Sequence, residues 1–145
     1  MRRILIVDDA PMSRNAMARL LQQEGYETSL AANGAEALAK LKSLKPDLIV
    51  LDHMMPEVDG LTFLSGIRRF PKWKNLPVIM FTGLKDRNHL MKAQTLGVKE
   101  YLVKSEYTMQ DLVGLIRKHL QPSSGSGLDM PLGGTTMSGA VSLGR

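Results

Sequence analysis

Asp8, Asp9 and Asp52 each follow a run of aliphatic residues, Ile4-Leu5-Ile6-Val7 and Leu48-Ile49-Val50-Leu51, while Thr82 and Lys104 close the apolar runs Val78-Ile79-Met80-Phe81 and Tyr101-Leu102-Val103. A short continuous apolar run is the pattern of a strand buried on both faces, so the side chain after it emerges at the strand's C-terminal edge. In parallel α/β sheets ligands bind along that edge. Three carboxylates gathered there repel one another, and the strain is relieved by raised pKa values or by a divalent cation. Oxygen-only donors favour Mg²⁺, which takes one or two carboxylates and commonly holds a phosphate oxygen as well. The chemistry these residues suit is phosphoryl transfer. Asp52 is the expected nucleophile, because an ionised carboxylate needs no general base. Lys104 and the metal would neutralise the phosphoryl oxygens, and Thr82 would hydrogen-bond one of them.

The elements that must position these side chains alternate along the chain. Arg3 to Val7 is a first strand. Pro11 suits an early helical position, Ala16, Met17, Leu20 and Leu21 recur at helical spacing, and Gly25 supplies the stop. Tyr26 to Ala31 reads as a second strand, and Asn33 with Glu36 three residues on opens a second helix that Pro46 ends. Leu48 to Asp52 is the third strand, 53–60 a loop, and Leu61 to Arg69 the third helix. Pro77 to Phe81, Asp86 to Leu96 and Glu100 to Val103 give a strand, a helix and a strand, with Gly97 closing the helix. Thr108 and Asp111 start a fifth helix with the stripe Met109, Leu112, Val113, Ile116 and Leu120. Five strands alternating with five helices imply a three-layer α/β sandwich around a parallel sheet. The Gly- and Ser-rich stretch 122–145 is expected to be a flexible tail or linker behind a domain at 1–121.

Composition narrows the function classes. The absence of cysteine excludes disulfides and thiolate metal sites, and the first apolar run is too short for a signal peptide or a membrane span. A cytoplasmic protein with no membrane attachment is expected. The formal net charge of +5 raises the question of nucleic acid, but the basic residues are scattered. The densest cluster, Arg68-Arg69-Phe70-Pro71-Lys72-Trp73-Lys74, contains proline between a helix and a strand and reads as a solvated connecting loop, so no direct nucleic-acid contact is expected.

Each candidate has a plain structural alternative. Asp8 and Asp9 alone could cap the first helix, Lys104 alone could be a solvated strand-end lysine, and Thr82 a strand-end hydroxyl. Their joint placement on one edge favours the functional reading. His53 adjoins Asp52, but successive strand residues face opposite sides, which removes it from the chemistry. His89 and His119 lack metal-ligand spacing, and the methionines are core fillers apart from Met54 and Met55 near the pocket. A flavodoxin-like cofactor binder on the same fold is disfavoured, because Asp8-Asp9-Ala10-Pro11 would repel the phosphate that a first-loop amide cradle holds.

Over about residues 2–120, the motifs Ile4-Leu5-Ile6-Val7-Asp8-Asp9, Leu48-Ile49-Val50-Leu51-Asp52-His53-Met54-Met55-Pro56-Glu57-Val58-Asp59-Gly60, Phe81-Thr82-Gly83 and Tyr101-Leu102-Val103-Lys104 occur in order. With them the chain resembles the receiver domains of two-component response regulators. The resemblance implies a flavodoxin-like sheet in the order 2-1-3-4-5 and Mg²⁺-dependent acceptance of a phosphoryl group on Asp52. The donor would be a sensor histidine kinase, a histidine phosphotransfer protein or a small phosphodonor. By the same matching, Asp9 is the direct metal ligand, Asp8 holds the metal through water, and Met54 offers a backbone carbonyl. Thr82 and Tyr101 are the switch pair and Lys104 the phosphoryl-binding lysine. Such a domain catalyses its own phosphorylation and dephosphorylation but acts as a switch on a downstream protein or an output domain. A homodimer through the face of the fourth helix, fifth strand and fifth helix is a further implication. An interaction module that works without phosphorylation is the alternative.

Two departures from the family pattern stand out. Ser105 follows Lys104 where the family has proline with a cis bond. Because a cis peptide before a non-proline residue costs about 3–4 kcal/mol, a trans or strained loop is expected, with Lys104 still reaching Asp52. Met54 and Leu84, two residues beyond Asp52 and Thr82, are large and apolar, and they are expected to hinder attacking water.

Overall fold

The computed structural model describes residues 2–55, 57–121 and 141–142. Strands β1 (Arg3–Val7), β2 (Glu27–Ala31), β3 (Leu48–Leu51), β4 (Val78–Thr82) and β5 (Glu100–Val103) alternate with helices α1 (Pro11–Gln23), α2 (Gly34–Leu44), α3 (Gly60–Ile67), α4 (Arg87–Thr95) and α5 (Met109–Leu120). The strands pair in parallel in the order β2-β1-β3-β4-β5. A two-residue strand β6 (Val141–Ser142) adds antiparallel to β5. The rest of the expected tail lies outside the described residues.

The sheet is apolar on both faces because helices cover both. Leu5, Val7, Ile49, Leu51, Val78, Met80, Tyr101 and Val103 pack toward α2, α3 and α4. The alternate residues Ile4, Ile6, Leu48, Val50, Ile79, Phe81 and Leu102 pack toward α1 and α5. This period-two division lets an apolar run fill two cores at once.

Local chemistry sets the helix starts. The side chains of Asn33, Asp59, Asp86 and Thr108 accept the backbone N–H of Glu36, Thr62, His89 and Asp111, respectively. Thr108 and Asp111 form the full reciprocal box, whereas Glu36 reaches back to the N–H of Ala32 rather than that of Asn33. Gly25 and Gly97 follow α1 and α4 with φ of 97° and 76°, left-handed positions that suit glycine.

Arg69, Phe70, Pro71, Lys72 and Lys74 are exposed, in keeping with a solvated connection between a helix and a strand, whereas Arg68 and Trp73 are not. Pro71–Trp73 form a 3₁₀ turn with Trp73 buried. The half-buried Arg68 guanidinium donates to the carbonyls of Trp73, Leu76, Leu96 and Gly97, joining the ends of α3 and α4 to the start of β4. Burial without a carboxylate partner pulls its pKa down. Among the described residues no helix is long and apolar enough to cross a membrane.

Candidate functional site

The parallel ladder runs one residue past each strand, and this places the site. The N–H of Asp8 donates to Ala31, that of Asp52 to Val7 and that of Lys104 to Thr82, at 2.8–3.1 Å. Strand register, with Val7 opposite Leu51 and Thr82 opposite Val103, therefore sets Asp8, Asp52, Thr82 and Lys104 along one edge. Carboxylate oxygens of Asp8, Asp9 and Asp52 come within 4.8 Å of one another. Asp8 is 1% exposed and Asp52 6%, whereas Asp9 faces solvent.

The Lys104 ammonium enters this cluster. Its Nζ lies 2.9 Å from Asp8 Oδ2 and 3.7 Å from Asp52 Oδ2. The peptide to Ser105 is trans, since there are no cis bonds among the described residues, and the lysine reaches the pocket without one. Asp8 also accepts the N–H of Ala10 at 2.9 Å through Oδ1 and the hydroxyl of Ser13 at 3.1 Å through Oδ2, and its carbonyl takes the Arg14 guanidinium at 2.8 Å. Ala10, with no side-chain bond, is the N-cap of α1. Asp8 supports that turn from the strand end while facing Lys104.

Burial is the main influence on Asp52 and pushes its pKa up, assisted by the Asp8 charge. The Thr82 hydroxyl, the Lys104 ammonium and the Met54 N–H at 3.2 Å pull the other way. A carboxylate desolvated yet flanked by donors is poised to exchange a neighbour for a cation. Ionised Asp52 costs stability above its raised native pKa, and that cost disappears as pH falls through it. Asp52→Asn is therefore expected to melt higher than wild type at neutral pH, and the gap should close toward acid pH in thermal unfolding followed by circular dichroism.

Thr82, fully buried, accepts the Leu84 N–H through Oγ1 at 3.2 Å, and the buried Tyr101 donates its hydroxyl to the Leu84 carbonyl at 3.0 Å. One residue, Leu84, thus touches both Thr82 and Tyr101. Met54 and Leu84 line a cleft of about 510 Å³ beside Asp9, with Met55, Asp59 and His53. Met54 is 55% exposed, standing over the site rather than in the core.

His53, beyond the end of β3, is not a member of the acid cluster, and its Nδ1 lies 3.7 Å from the Asp59 carboxylate. It accepts the Leu61 N–H through Nδ1 at 3.4 Å and meets the His89 ring edge-on at 4.4 Å between centroids. Burial lowers its pKa, with Asp59 opposing. His119 pairs with the buried Glu100 at 2.9 Å, far in the chain from the acid cluster.

Ser13 and Arg14 belong to the site yet escape a motif reading, whereas Gly60 closes the motif that carries Asp52. A Cβ on Gly60 would lie 2.4 Å from the Asp52 carbonyl oxygen and 2.8 Å from His53 Cα, so α3 starts against the backbone that carries Asp52. Serine in a first helical turn is common enough to signal nothing by itself.

Known proteins share this fold. CheY4, a chemotaxis response regulator of Vibrio cholerae, superposes with a TM-score of 0.75 at 31% identity, covering 83% of this chain and 99% of its own. The response regulator protein TrrA from Thermotoga maritima, solved in complex with Mg²⁺ and BeF, is 38% identical with a TM-score of 0.73, covering 83% of this chain and all of that one. A protein-glutamate methylesterase/protein-glutamine glutaminase of Trichodesmium erythraeum is 39% identical over 126 residues, and the transcriptional regulatory protein TrcR of Mycobacterium tuberculosis 34% over 122. The aligned regions span 83–84% of this chain but only 35% and 46% of those two relatives. The family model described as response regulator receiver domain matches residues 4–117, which takes in every strand end that builds the site. On that match, and on the five-strand parallel order that carries it, the chain belongs to the response regulator receiver domain family.

Proposed function

We propose that the chain is a phosphorylation switch that accepts a phosphoryl group on Asp52 with Mg²⁺ and passes the change to a partner or an attached output domain. The observation that carries this reading is the convergence of Asp8, Asp9 and Asp52 within 4.8 Å beside a lysine that reaches two of them. The donor set fits a hard divalent cation, since it is all oxygen, negatively charged and open on the Asp9 side. Asp9 would ligate directly, Asp8 through water, and Asp52 and the Met54 carbonyl would complete the protein's share. When bound, Mg²⁺ supplies charge neutralisation at the phosphoryl oxygens.

The chain's own residues do the rest. An Asp52 carboxylate oxygen forms a bond to phosphorus as the bond to the donor breaks, and the donor leaves with its electron pair: an imidazole from a kinase or phosphotransfer protein, acetate from acetyl phosphate. Lys104 faces the charge on the transferred group. The Thr82 hydroxyl then turns to a phosphoryl oxygen and releases the Leu84 N–H. Because Leu84 also holds Tyr101, that release loosens the Tyr101 hydroxyl bond and lets the ring reorient, shifting the population between two arrangements. Tyr101 lines a groove of about 420 Å³ between α4, β5 and the loop leading to α5, with Leu90, Val103 and Tyr107 among its walls, and this is the surface offered to a partner or a second copy.

Incubation with Mg²⁺ and acetyl phosphate, followed by intact mass measurement, tests the reading. Wild type is expected to gain the mass of one phosphoryl group and Asp52→Asn none. A wild type that gains no such mass would instead be an interaction module working without phosphorylation. Met54 bears on the lifetime of the product. Its exposed side chain stands where water must approach, and asparagine there would orient that water. Met54→Asn is expected to speed loss of the phosphoryl group about tenfold, read from the decay of the same mass peak.

A further inference from the structure

The Lys104 ammonium has three N–H donors, and three acceptors face it: Asp8 Oδ2 at 2.9 Å, Ser13 Oγ at 3.4 Å and Asp52 Oδ2 at 3.7 Å. Two of these belong to carboxylates of the acid cluster. Any cation that settles among Asp8, Asp9 and Asp52 competes with the ammonium for those oxygens, and its charge repels the lysine from the site. Ser13 is the one acceptor of the three that stays. A neutral hydroxyl is a poor rival for carboxylates toward a hard divalent cation.

Its position is also fixed independently of the lysine. Ser13 sits in the first turn of α1, where the N–H of Arg14 donates to the Ala10 carbonyl at 2.9 Å and the Arg14 guanidinium clamps the Asp8 carbonyl at 2.8 Å. Among the described residues the lysine ammonium, by contrast, has besides those acceptors only a contact with the Phe81 ring, 5.6 Å from the centroid, which directs no N–H. The lysine backbone N–H holds the Thr82 carbonyl at 2.8 Å, and a trans bond leads to Ser105 rather than to a proline that would stiffen the loop. Between backbone and ammonium lies a flexible four-carbon stem.

We propose that Ser13 is a positioning residue that keeps the Lys104 ammonium over Asp52 when a divalent cation occupies the acid cluster. It acts through the lysine, accepting one N–H while its own proton goes to Asp8 Oδ2 at 3.1 Å. Ser13 and Lys104 lie 91 residues apart in the chain, so the contact exists only in the folded domain. The proposal rests on the phosphoacceptor reading of Asp52.

Ser13→Ala, Ser13→Thr, Lys104→Met and the double variant Ser13→Ala/Lys104→Met test it, each checked for folding by its melting midpoint. With acetyl phosphate and Mg²⁺, Ser13→Ala is expected to take up phosphoryl mass about tenfold more slowly, as misplacement of a catalytic group does, and Ser13→Thr to recover most of the rate. Mg²⁺ affinity, followed by amide shifts of Asp9 and Met54 in NMR titration, should change by less than about twofold. In the Lys104→Met background the serine change should add nothing. The Lys104 ammonium resonance, read in ¹H–¹⁵N spectra with saturating Mg²⁺, should be visible in wild type and lost to solvent exchange in Ser13→Ala. Three results would each overturn the proposal: an unchanged rate in Ser13→Ala, an equal loss with and without Lys104, or an ammonium signal that survives removal of the hydroxyl. If wild type takes up no phosphoryl group, the reading of Asp52 fails instead, and the ammonium signal still decides the role of Ser13.

Discussion

Lys104→Met is expected to slow phosphoryl uptake from acetyl phosphate by roughly 10²- to 10³-fold, the usual effect of removing one pre-positioned charge from a transferring group. The ammonium is 2.9 Å from Asp8 and 3.7 Å from Asp52, so it neutralises the buried carboxylates before reaction and the phosphoryl oxygens during it. Methionine keeps the length and apolar stem of the side chain and removes the charge. Two readouts separate its roles. The melting midpoint should fall at neutral pH, because Asp52 loses a counter-charge, and should recover as acid protonates Asp52, whose pKa burial already raises. Mg²⁺ should bind Lys104→Met more tightly, because the cation no longer displaces an ammonium. A variant that bound Mg²⁺ less well would show the lysine organising the site for the metal instead.

Gly60→Ala is expected to destabilise the domain by about 3 kcal/mol and to cut phosphoryl uptake by roughly 10²-fold in whatever fraction stays folded. The reason is contact, not backbone conformation. The added methyl would meet the Asp52 carbonyl oxygen at 2.4 Å and His53 Cα at 2.8 Å. Both are backbone, tied by the bonds from the Asp52 N–H to Val7 and from the Gly60 N–H to the His53 carbonyl, each 2.9 Å. Relief therefore requires the strand end to move, and Asp52 moves with it. Urea unfolding measures the first effect and the rate of mass gain the second. Gly66→Ala, on the same helix with nothing within 4 Å of its added methyl, should leave the uptake rate unchanged and raise stability by about 0.5–1 kcal/mol.

Much of the architecture is legible because its causes are local. An apolar run such as Leu48 to Leu51 declares a strand covered on both faces within four residues, and Thr108 with Asp111 declares a helix start within one turn. Where the register of parallel strands is regular, the residues just past such runs must also share an edge, so Asp8, Asp52, Thr82 and Lys104 could be grouped from the sequence. Strand ends shifted by a residue, as at Thr82, because pairing with β5 and not apolarity sets where the ladder stops.

What composition misread, it misread for want of partners. Arg68 and Trp73 sit in a stretch of cations and proline that looks solvated, yet four carbonyls, from the 3₁₀ turn, the approach to β4 and the end of α4, converge on the guanidinium. Those carbonyls come from positions up to 29 residues away and carry no mark in the sequence.

The sequence by itself determined the order of the elements and which residue types stand at the strand ends, because periodicity, capping and turn chemistry act over a few residues. Only the tertiary structure decided the distances that make those residues a site. The approach of Gly60 to the Asp52 backbone, the split of Lys104 between Asp8 and Asp52, the meeting of Thr82 and Tyr101 at Leu84, and the Ser13 hydroxyl beneath the ammonium all depend on sheet register and on the seating of α1 and α3. Most of these contacts, those of Lys104 with Asp8, Asp52 and Ser13 above all, join residues far apart in the chain, and they exist only once packing has chosen which atoms face each other.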